Sequence, residues 1–132
     1  MRARYLRMLD TQNWSELAKL YAADATLAFH TEQPGVVSRG RDEIMTRIAD
    51  LLVGVTTVHY AHMAEIEFLS DDRATGIWAL EDKLWFGPSS SAPGLRVHAY
   101  GHLRDRYSKI NGAWLLQQVE ITRLRVEQFS VQ

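Results

Sequence analysis

The spacing of apolar residues divides the chain into a helical N-terminal part and a remainder rich in strands. Apolar residues recur at three- and four-residue intervals through residues 1–23, which predicts two short helices. The same spacing returns after Gly40 and ends at Gly54, which predicts a third helix. Between these helices we expect a short strand over residues 25–31 and a turn at Pro34-Gly35.

From Val55 onward apolar and polar residues alternate, which is the period of a β-strand. We expect four long strands at about 56–69, 73–86, 95–108 and 113–127, with a tight hairpin at Asn111-Gly112. Helices followed by an antiparallel meander predict an α+β domain over residues 1–132, in which the helices cover one face of a strongly curved sheet. The predicted architecture is a cone-shaped α+β barrel whose open end holds a small apolar molecule.

Composition narrows the classes of partner. The 132 residues are 46% hydrophobic and 23% charged, which is typical of a globular protein, and the net charge of −1 gives no basic surface for nucleic acid. Cysteine is absent, so disulfides and thiolate chemistry are excluded. No apolar run approaches the roughly 20 residues that cross a bilayer, and the first residues do not resemble a signal peptide. We expect a cytoplasmic protein that binds neither nucleic acid nor membrane.

His59 and Asp10 are candidates for the chemistry. The apolar face switches along the strand that carries His59, and a bulge or strong twist near Met63 would reconcile its two halves. His59 is then either a general base or a core histidine bonded to a backbone carbonyl. Asp10 ends the first helix, where the helix dipole opposes a negative charge. It is either the carboxylate that orients His59 for proton abstraction or a simple turn residue.

Asp82 interrupts an apolar strand face that also carries Trp78, Leu80 and Leu84. A buried carboxylate needs polar partners, so Asp82 is either a polar group inside a pocket or an end-of-strand residue that meets water or an arginine. We expect Trp78, Leu80 and Leu84 to contact a ligand beside it.

The last strand contains Arg123 and Arg125, which alternate with Leu124 and Val126. This alternation predicts one basic face. A solvated surface and a site that anchors an acidic substrate at the mouth of the cone are both compatible with it.

No metal or cofactor site is expected. His98 and His102 lie four residues apart on one strand face, roughly 13 Å from each other and too far to share an ion, whereas His59 and His62 point to opposite faces. Glycine-rich phosphate-binding patterns are also missing.

Several segments resemble the nuclear transport factor 2-like superfamily and, within it, the SnoaL-like group. They are residues 5–10, 14–25, 40–44, 57–59 and 107–114. The resemblance covers nearly the whole chain. It implies a curved sheet packed by three helices around a conical pocket, and a homo-oligomer, either a dimer or a trimer.

The resemblance also implies a set of roles. It extends to scytalone dehydratase, bile acid 7α-dehydratase and lindane dehydrochlorinase, which eliminate without a cofactor. In that comparison His59 matches the general base, Asp10 the carboxylate that orients it, and Tyr5 a polar pocket residue. Asp82 matches a further acidic site residue, and Arg123 a basic residue at the pocket mouth.

Phe29 departs from this pattern, because the two dehydratases have a tyrosine at the matching position. A phenyl ring cannot polarise a carbonyl or protonate a leaving hydroxyl. The departure leaves dehydrochlorination, isomerisation or simple binding open.

We therefore expect a cofactor-independent lyase or isomerase, dehydratase-like, dehydrochlorinase-like or ketosteroid-isomerase-like, that uses His59 and Asp10 on a small apolar cyclic or polyketide-like molecule. One alternative is a noncatalytic small-molecule-binding or interaction module, because a fold does not establish an activity. A β subunit of a ring-hydroxylating dioxygenase is the other alternative.

Overall fold

The computed structural model describes residues 1–30 and 36–130. The elements within these ranges are α1 (Arg2–Asp10), α2 (Trp14–Ala18), β1 (Tyr21–His30), β2 (Val37–Arg39), α3 (Arg41–Leu51), β3 (Val55–Phe68), β4 (Arg73–Phe86), β5 (Leu95–Ile110) and β6 (Ala113–Ser130). The strands form a curved six-stranded sheet in the order β2-β1-β6-β5-β4-β3, in which neighbouring strands are antiparallel except β1 and β6. Helix α1 packs against β3, and α3 packs against β1 and β2. The α+β class is confirmed.

The strand-rich half follows the sequence pattern closely. The predicted bulge is present in β3, where the register with β4 shifts between His62 and Glu65 and Met63 has a φ of 29°. The hairpin between β5 and β6 turns at Asn111 and Gly112, with φ values of 52° and 80° as a tight two-residue turn requires. These two features fix which residues of β3 and β6 face the interior.

In the first half, one prediction is wrong and one strand was missed. The helical pattern was expected to extend to residue 23, but β1 begins at Tyr21 because the chain there pairs with β6 rather than continuing α2. Leu116 N–H donates to Leu20 C=O at 2.8 Å, which marks the start of this pairing. The short strand β2 was not predicted. The predicted turn at Pro34-Gly35 and the end of the predicted strand at Thr31 lie outside the described residues.

The core lies between the concave face of the sheet and the three helices. Side chains alternate along a strand, and the alternation of burial is clearest in the middle of β5, where residues 99, 101, 103, 105 and 107 are buried. The largest fully buried apolar side chains are those of Leu17, Tyr21, Leu27, Ile44, Leu116 and Val119. Across residues 1–30 and 36–130, no helix is long and apolar enough to cross a membrane.

Candidate active site

Asp10 and His59 are joined by a direct hydrogen bond. Asp10 Oδ1 lies 2.6 Å from His59 Nδ1 and accepts from Thr57 Oγ1 at 2.8 Å, while Oδ2 accepts from the backbone N–H of His59 at 3.0 Å. These donors stabilise a carboxylate at a helix end where the dipole opposes it. A carboxylate can only accept a hydrogen bond, so Nδ1 of His59 must donate to Asp10. The neutral imidazole therefore carries its proton on Nδ1 and has its lone pair on Nε2.

The turn after α1 is tied to the start of β3, which keeps Asp10 beside His59. Gln12 has a φ of 56°, and its side-chain amide donates to the carbonyls of Leu52 and Val55, both at 3.0 Å. Asp10 is therefore next to a turn, but its side chain is bound to β3. Thr57 was not singled out from the sequence as a site residue, although its place two residues before His59 on the same face was visible.

Asp82 lies opposite His59 in the β3–β4 ladder. Its side chain is 4% exposed and accepts from Arg123 Nη1 at 3.2 Å and Nη2 at 2.9 Å. His59 Nε2 is 3.7 Å from Asp82 Oδ2, which is too long for a hydrogen bond but close enough for electrostatic interaction. Asp82 therefore lies within β4, paired with an arginine, and its side chain also lines the cavity described below.

The prediction of one basic face on β6 is wrong. A register shift between Tyr100 and Gly101 turns Arg123 inward, whereas the side chain of Arg125 is 70% exposed. Strands β5 and β6 lie so close together at this shift that a Cβ on Gly101 would be 1.9 Å from the carbonyl oxygen of Thr122. The register shift requires glycine at position 101, and it places the side chain of Arg123 beside Asp82.

A cavity of about 330 Å³ is lined in part by His59, Asp82 and Arg123. Its volume is near the lower end of the usual range for ligand sites. Phe29, Leu80 and Leu84 are among the residues that line the cavity. Its polar lining includes Tyr5, His59, Asp82, Ser91 and Arg123, and its apolar lining includes Leu6, Leu9, Leu27, Ile48, Phe86, Val97, Leu103, Ile121 and Val126. Ser91, in the loop between β4 and β5, was not expected here.

Trp78 does not line this cavity, so its assignment to the ligand site is wrong. It lies on the same strand face as Asp82 but roughly 13 Å further along, on a separate groove shared with Tyr107 and Trp114. Its indole N–H donates to the hydroxyl of Tyr107 at 2.9 Å. The cavity is lined by the second half of β4, from Leu80 to Phe86, and Trp78 lies in the first half.

The hydroxyl of Tyr5, whose side chain lines the cavity, lies 2.5 Å from the hydroxyl of Tyr21. Burial raises the pKa of both phenols. Behind Tyr5, a buried ion pair joins Arg2 to Asp105, and the guanidinium carbon lies 4.4 Å from the centre of the Tyr5 ring. Burial alone would lower the pKa of Arg2, but the charge and hydrogen bonds of Asp105 raise it overall. The sequence pattern did not identify Arg2, Tyr21 or Asp105.

Across residues 1–30 and 36–130, His, Cys, Asp and Glu side chains do not form a group of three able to hold a metal ion. The interacting polar groups of the site are those just described: a carboxylate, an imidazole and an ion pair, with a phenol nearby.

Known proteins resemble this chain over almost its full length. A curated relative, "Probable cyclase FGR4" from Gibberella zeae, is 22% identical and aligns with 98% of this chain and 91% of its own length. The crystal structure of a "Putative Scytalone Dehydratase" from Novosphingobium aromaticivorans is 20% identical, with a TM-score of 0.82 over 99% of this chain and 84% of the other. Hexachlorocyclohexane dehydrochlorinase LinA-type3 from Novosphingobium barchaimii is 15% identical, with a TM-score of 0.79 over 97% and 84%.

These structural similarities establish the fold. The family model for the SnoaL-like domain matches residues 1–120, which is most of the chain and includes Asp10, His59 and Asp82. The chain therefore belongs to the SnoaL-like domain family and has its NTF2-like fold.

Proposed function

We propose that this protein is a cofactor-independent lyase or isomerase in which His59 removes a proton from carbon in a small, largely apolar substrate. The observation that carries the proposal is the 2.6 Å hydrogen bond between Asp10 and Nδ1 of His59, because it leaves Nε2 unprotonated beside an apolar cavity. A base must be oriented and in the correct tautomer before it can abstract a proton, and Asp10 provides both.

The charges around His59 can offset the positive charge that the ring gains when it removes a proton from substrate. With neutral His59, the charges of Asp10, Asp82 and Arg123 sum to −1, and the proton taken from substrate brings the cluster to neutrality. Because much of the surrounding surface is apolar, water screens this attraction poorly and the imidazolium is stabilised. The developing charge on the base is therefore offset by groups that are already in position.

The electrons left by the departing proton form a carbon–carbon double bond. In an elimination, a leaving group departs from the adjacent carbon. In an isomerisation, a carbonyl oxygen holds the charge until the proton returns at another carbon. The guanidinium of Arg123 has N–H groups that Asp82 does not use, and these are suited to stabilise that oxygen or leaving group. Phe29 has no hydrogen to donate, so this part of the reaction depends on Arg123 or Tyr5.

The cavity favours a substrate with one or two rings. Its volume of about 330 Å³ and its lining of leucine, isoleucine, valine and phenylalanine suit a compact apolar body. The printed names of the relatives, a putative dehydratase, a dehydrochlorinase and a probable cyclase, support a reaction of the lyase or isomerase type.

A binding screen followed by a conversion assay tests the proposal. Purified protein is screened by thermal shift against one- and two-ring ketones, alcohols and halides, because a ligand that binds only the folded state raises the melting temperature. Compounds that bind are then incubated with the protein and followed by NMR. We expect at least one to lose water or halide, or to shift a double bond, and His59→Ala to abolish the conversion while the melting curve stays cooperative.

A protein that binds such compounds but converts none of them faster than His59→Ala does would be a noncatalytic binding module. Conversion that persists in His59→Ala would show instead that another group is the base.

A further inference from the structure

We propose that Tyr21, which lies outside the cavity, is a positioning residue that fixes the hydroxyl of Tyr5 as a hydrogen-bond donor to an oxygen atom of the ligand. The inference rests on the proposed function and makes it more specific. The substrate class becomes molecules with a ketone or hydroxyl oxygen that gains negative charge during the reaction.

The contact between the two phenols is short and buried. Their hydroxyl oxygens lie 2.5 Å apart, and their rings meet edge to face at 5.7 Å between centres. Tyr5 contributes to the surface of the cavity, whereas Tyr21 is 0% exposed. Of the two hydroxyls, we therefore expect that of Tyr5 to interact with a ligand in the cavity.

Counting hydrogens assigns the donor. Two hydroxyl hydrogens are available, and the contact between the oxygens uses one of them. In the part of the chain that the structure describes, Tyr5 is the only hydrogen-bond partner of the Tyr21 hydroxyl. If Tyr5 were the donor, the hydrogen of Tyr21 would be buried without an acceptor, which is unfavourable. Tyr21 is therefore the donor, and the hydrogen of Tyr5 is free to point toward the cavity.

Arg2 strengthens this assignment. Its guanidinium carbon is 4.4 Å from the centre of the Tyr5 ring and is held there by the buried ion pair with Asp105. Burial raises the pKa of both phenols. The positive charge of Arg2 opposes that rise in pKa at both phenols, but the contact with Tyr21 also opposes it at Tyr5, whereas the contact with Tyr5 adds to it at Tyr21. Tyr5 is thus the better donor of the two, and a better donor stabilises a developing oxyanion more strongly.

A matched pair of probes tests the inference independently of turnover. 4-Nitrophenolate carries an anionic oxygen on a single ring, and nitrobenzene has a similar shape without that oxygen. The affinity of each for the wild-type protein, Tyr5→Phe and Tyr21→Phe is measured by calorimetry, with absorbance reporting the ionised probe. Tyr60→Phe is the matched control, because Tyr60 is 54% exposed and does not line the cavity.

We expect Tyr5→Phe to weaken nitrophenolate binding by about tenfold to a hundredfold, since a hydrogen bond to a charged group is lost. Tyr21→Phe should weaken it by about threefold to tenfold, because Tyr5 remains but has lost the bond that directs it. Nitrobenzene affinity should be the same in all four proteins.

Equal nitrophenolate affinity in Tyr21→Phe and the wild-type protein would overturn the inference, as would failure of the wild-type protein to prefer nitrophenolate over nitrobenzene. A parallel loss of both probes in Tyr21→Phe would also overturn it, because the residue would then only support the fold. Turnover by the wild-type protein separates the two proposals. If the phenol variants behave as expected but no compound is converted by the wild-type protein, the oxygen site stands and the proposed reaction fails.

Discussion

His59 and Asp82 face each other across the β3–β4 ladder, yet Nε2 and Oδ2 remain 3.7 Å apart and do not form a hydrogen bond. The bidentate pair with Arg123 accounts for the separation, because it draws the carboxylate toward β6. One ring nitrogen of His59 is therefore bonded to a carboxylate, and the other is near a carboxylate that is already paired. This arrangement leaves the lone pair of Nε2 available to a substrate.

Asp10→Asn should reduce turnover by roughly 10²- to 10⁴-fold. The side-chain amide of the variant would donate to Nδ1, so the imidazole would carry its proton on Nε2 and lose its basic face to the cavity. Turnover and substrate affinity are measured together. We expect the Michaelis constant to change little, because Asp10 does not line the cavity. A variant with near wild-type turnover would show that Asp10 does not orient the base.

Thr57→Val should lower turnover by about threefold to tenfold, since it removes one hydrogen bond to Asp10 while keeping the shape of the side chain. Thr57→Ser keeps the hydroxyl and is the matched control, for which we expect nearly full activity. If the two variants lose activity equally, packing rather than the hydrogen bond is what matters at this position.

Arg123→Met should destabilise the protein by about 3 to 5 kcal/mol, because Asp82 would remain buried with its charge unpaired. In the double variant Asp82→Leu and Arg123→Met, both members of the pair become apolar, so most of this loss should be recovered. Urea denaturation gives the free energies of unfolding. Single and double variants of equal stability would mean that Asp82 is not held as a buried ion in the folded state.

Stability should fall at alkaline pH because of the buried phenols. Burial raises the pKa of Tyr5, Tyr21 and Tyr107 above the ordinary tyrosine value of about 10. Above that pH the unfolded chain releases these protons and the folded protein retains them, so the free energy of unfolding decreases as pH rises. Below that pH both states are protonated and the effect disappears.

Urea denaturation at a series of pH values from neutral to alkaline measures how steeply the free energy of unfolding falls with pH. Tyr5→Phe combined with Tyr21→Phe should flatten it, whereas Tyr60→Phe should not, because its side chain is largely exposed. An equal slope in the double variant and the wild-type protein would contradict the role assigned to burial.

The long strands could be predicted because each is amphipathic and bounded by a turn. The bulge at Met63 was also predictable, since the apolar face of β3 changes side there. The start of β1 was not, because Tyr21 and Ala22 are equally compatible with a helix and only the pairing with β6, almost a hundred residues away, makes them a strand.

The residues of the site, like the strands, could be predicted where the local sequence pattern identifies them. Asp10 and Asp82 stood out because each carries a charge where its local pattern disfavours one. Arg123 was identified as a candidate, but its inward direction depends on a register shift that a simple alternation cannot express. Tyr21 and Arg2 act through contacts with Tyr5 that exist only after α1 has packed on the sheet.

The most direct test is whether His59 removes a proton from carbon. A cyclic ketone that binds the protein is incubated with it in deuterium oxide. The NMR signal of the hydrogens on the carbon next to the carbonyl is followed over time, and His59→Gln is the control. We predict that the wild-type protein replaces this hydrogen with deuterium and that His59→Gln exchanges it no faster than solvent alone. Equal exchange in the two proteins, or none above the solvent rate in either, would contradict the role of His59 as the base.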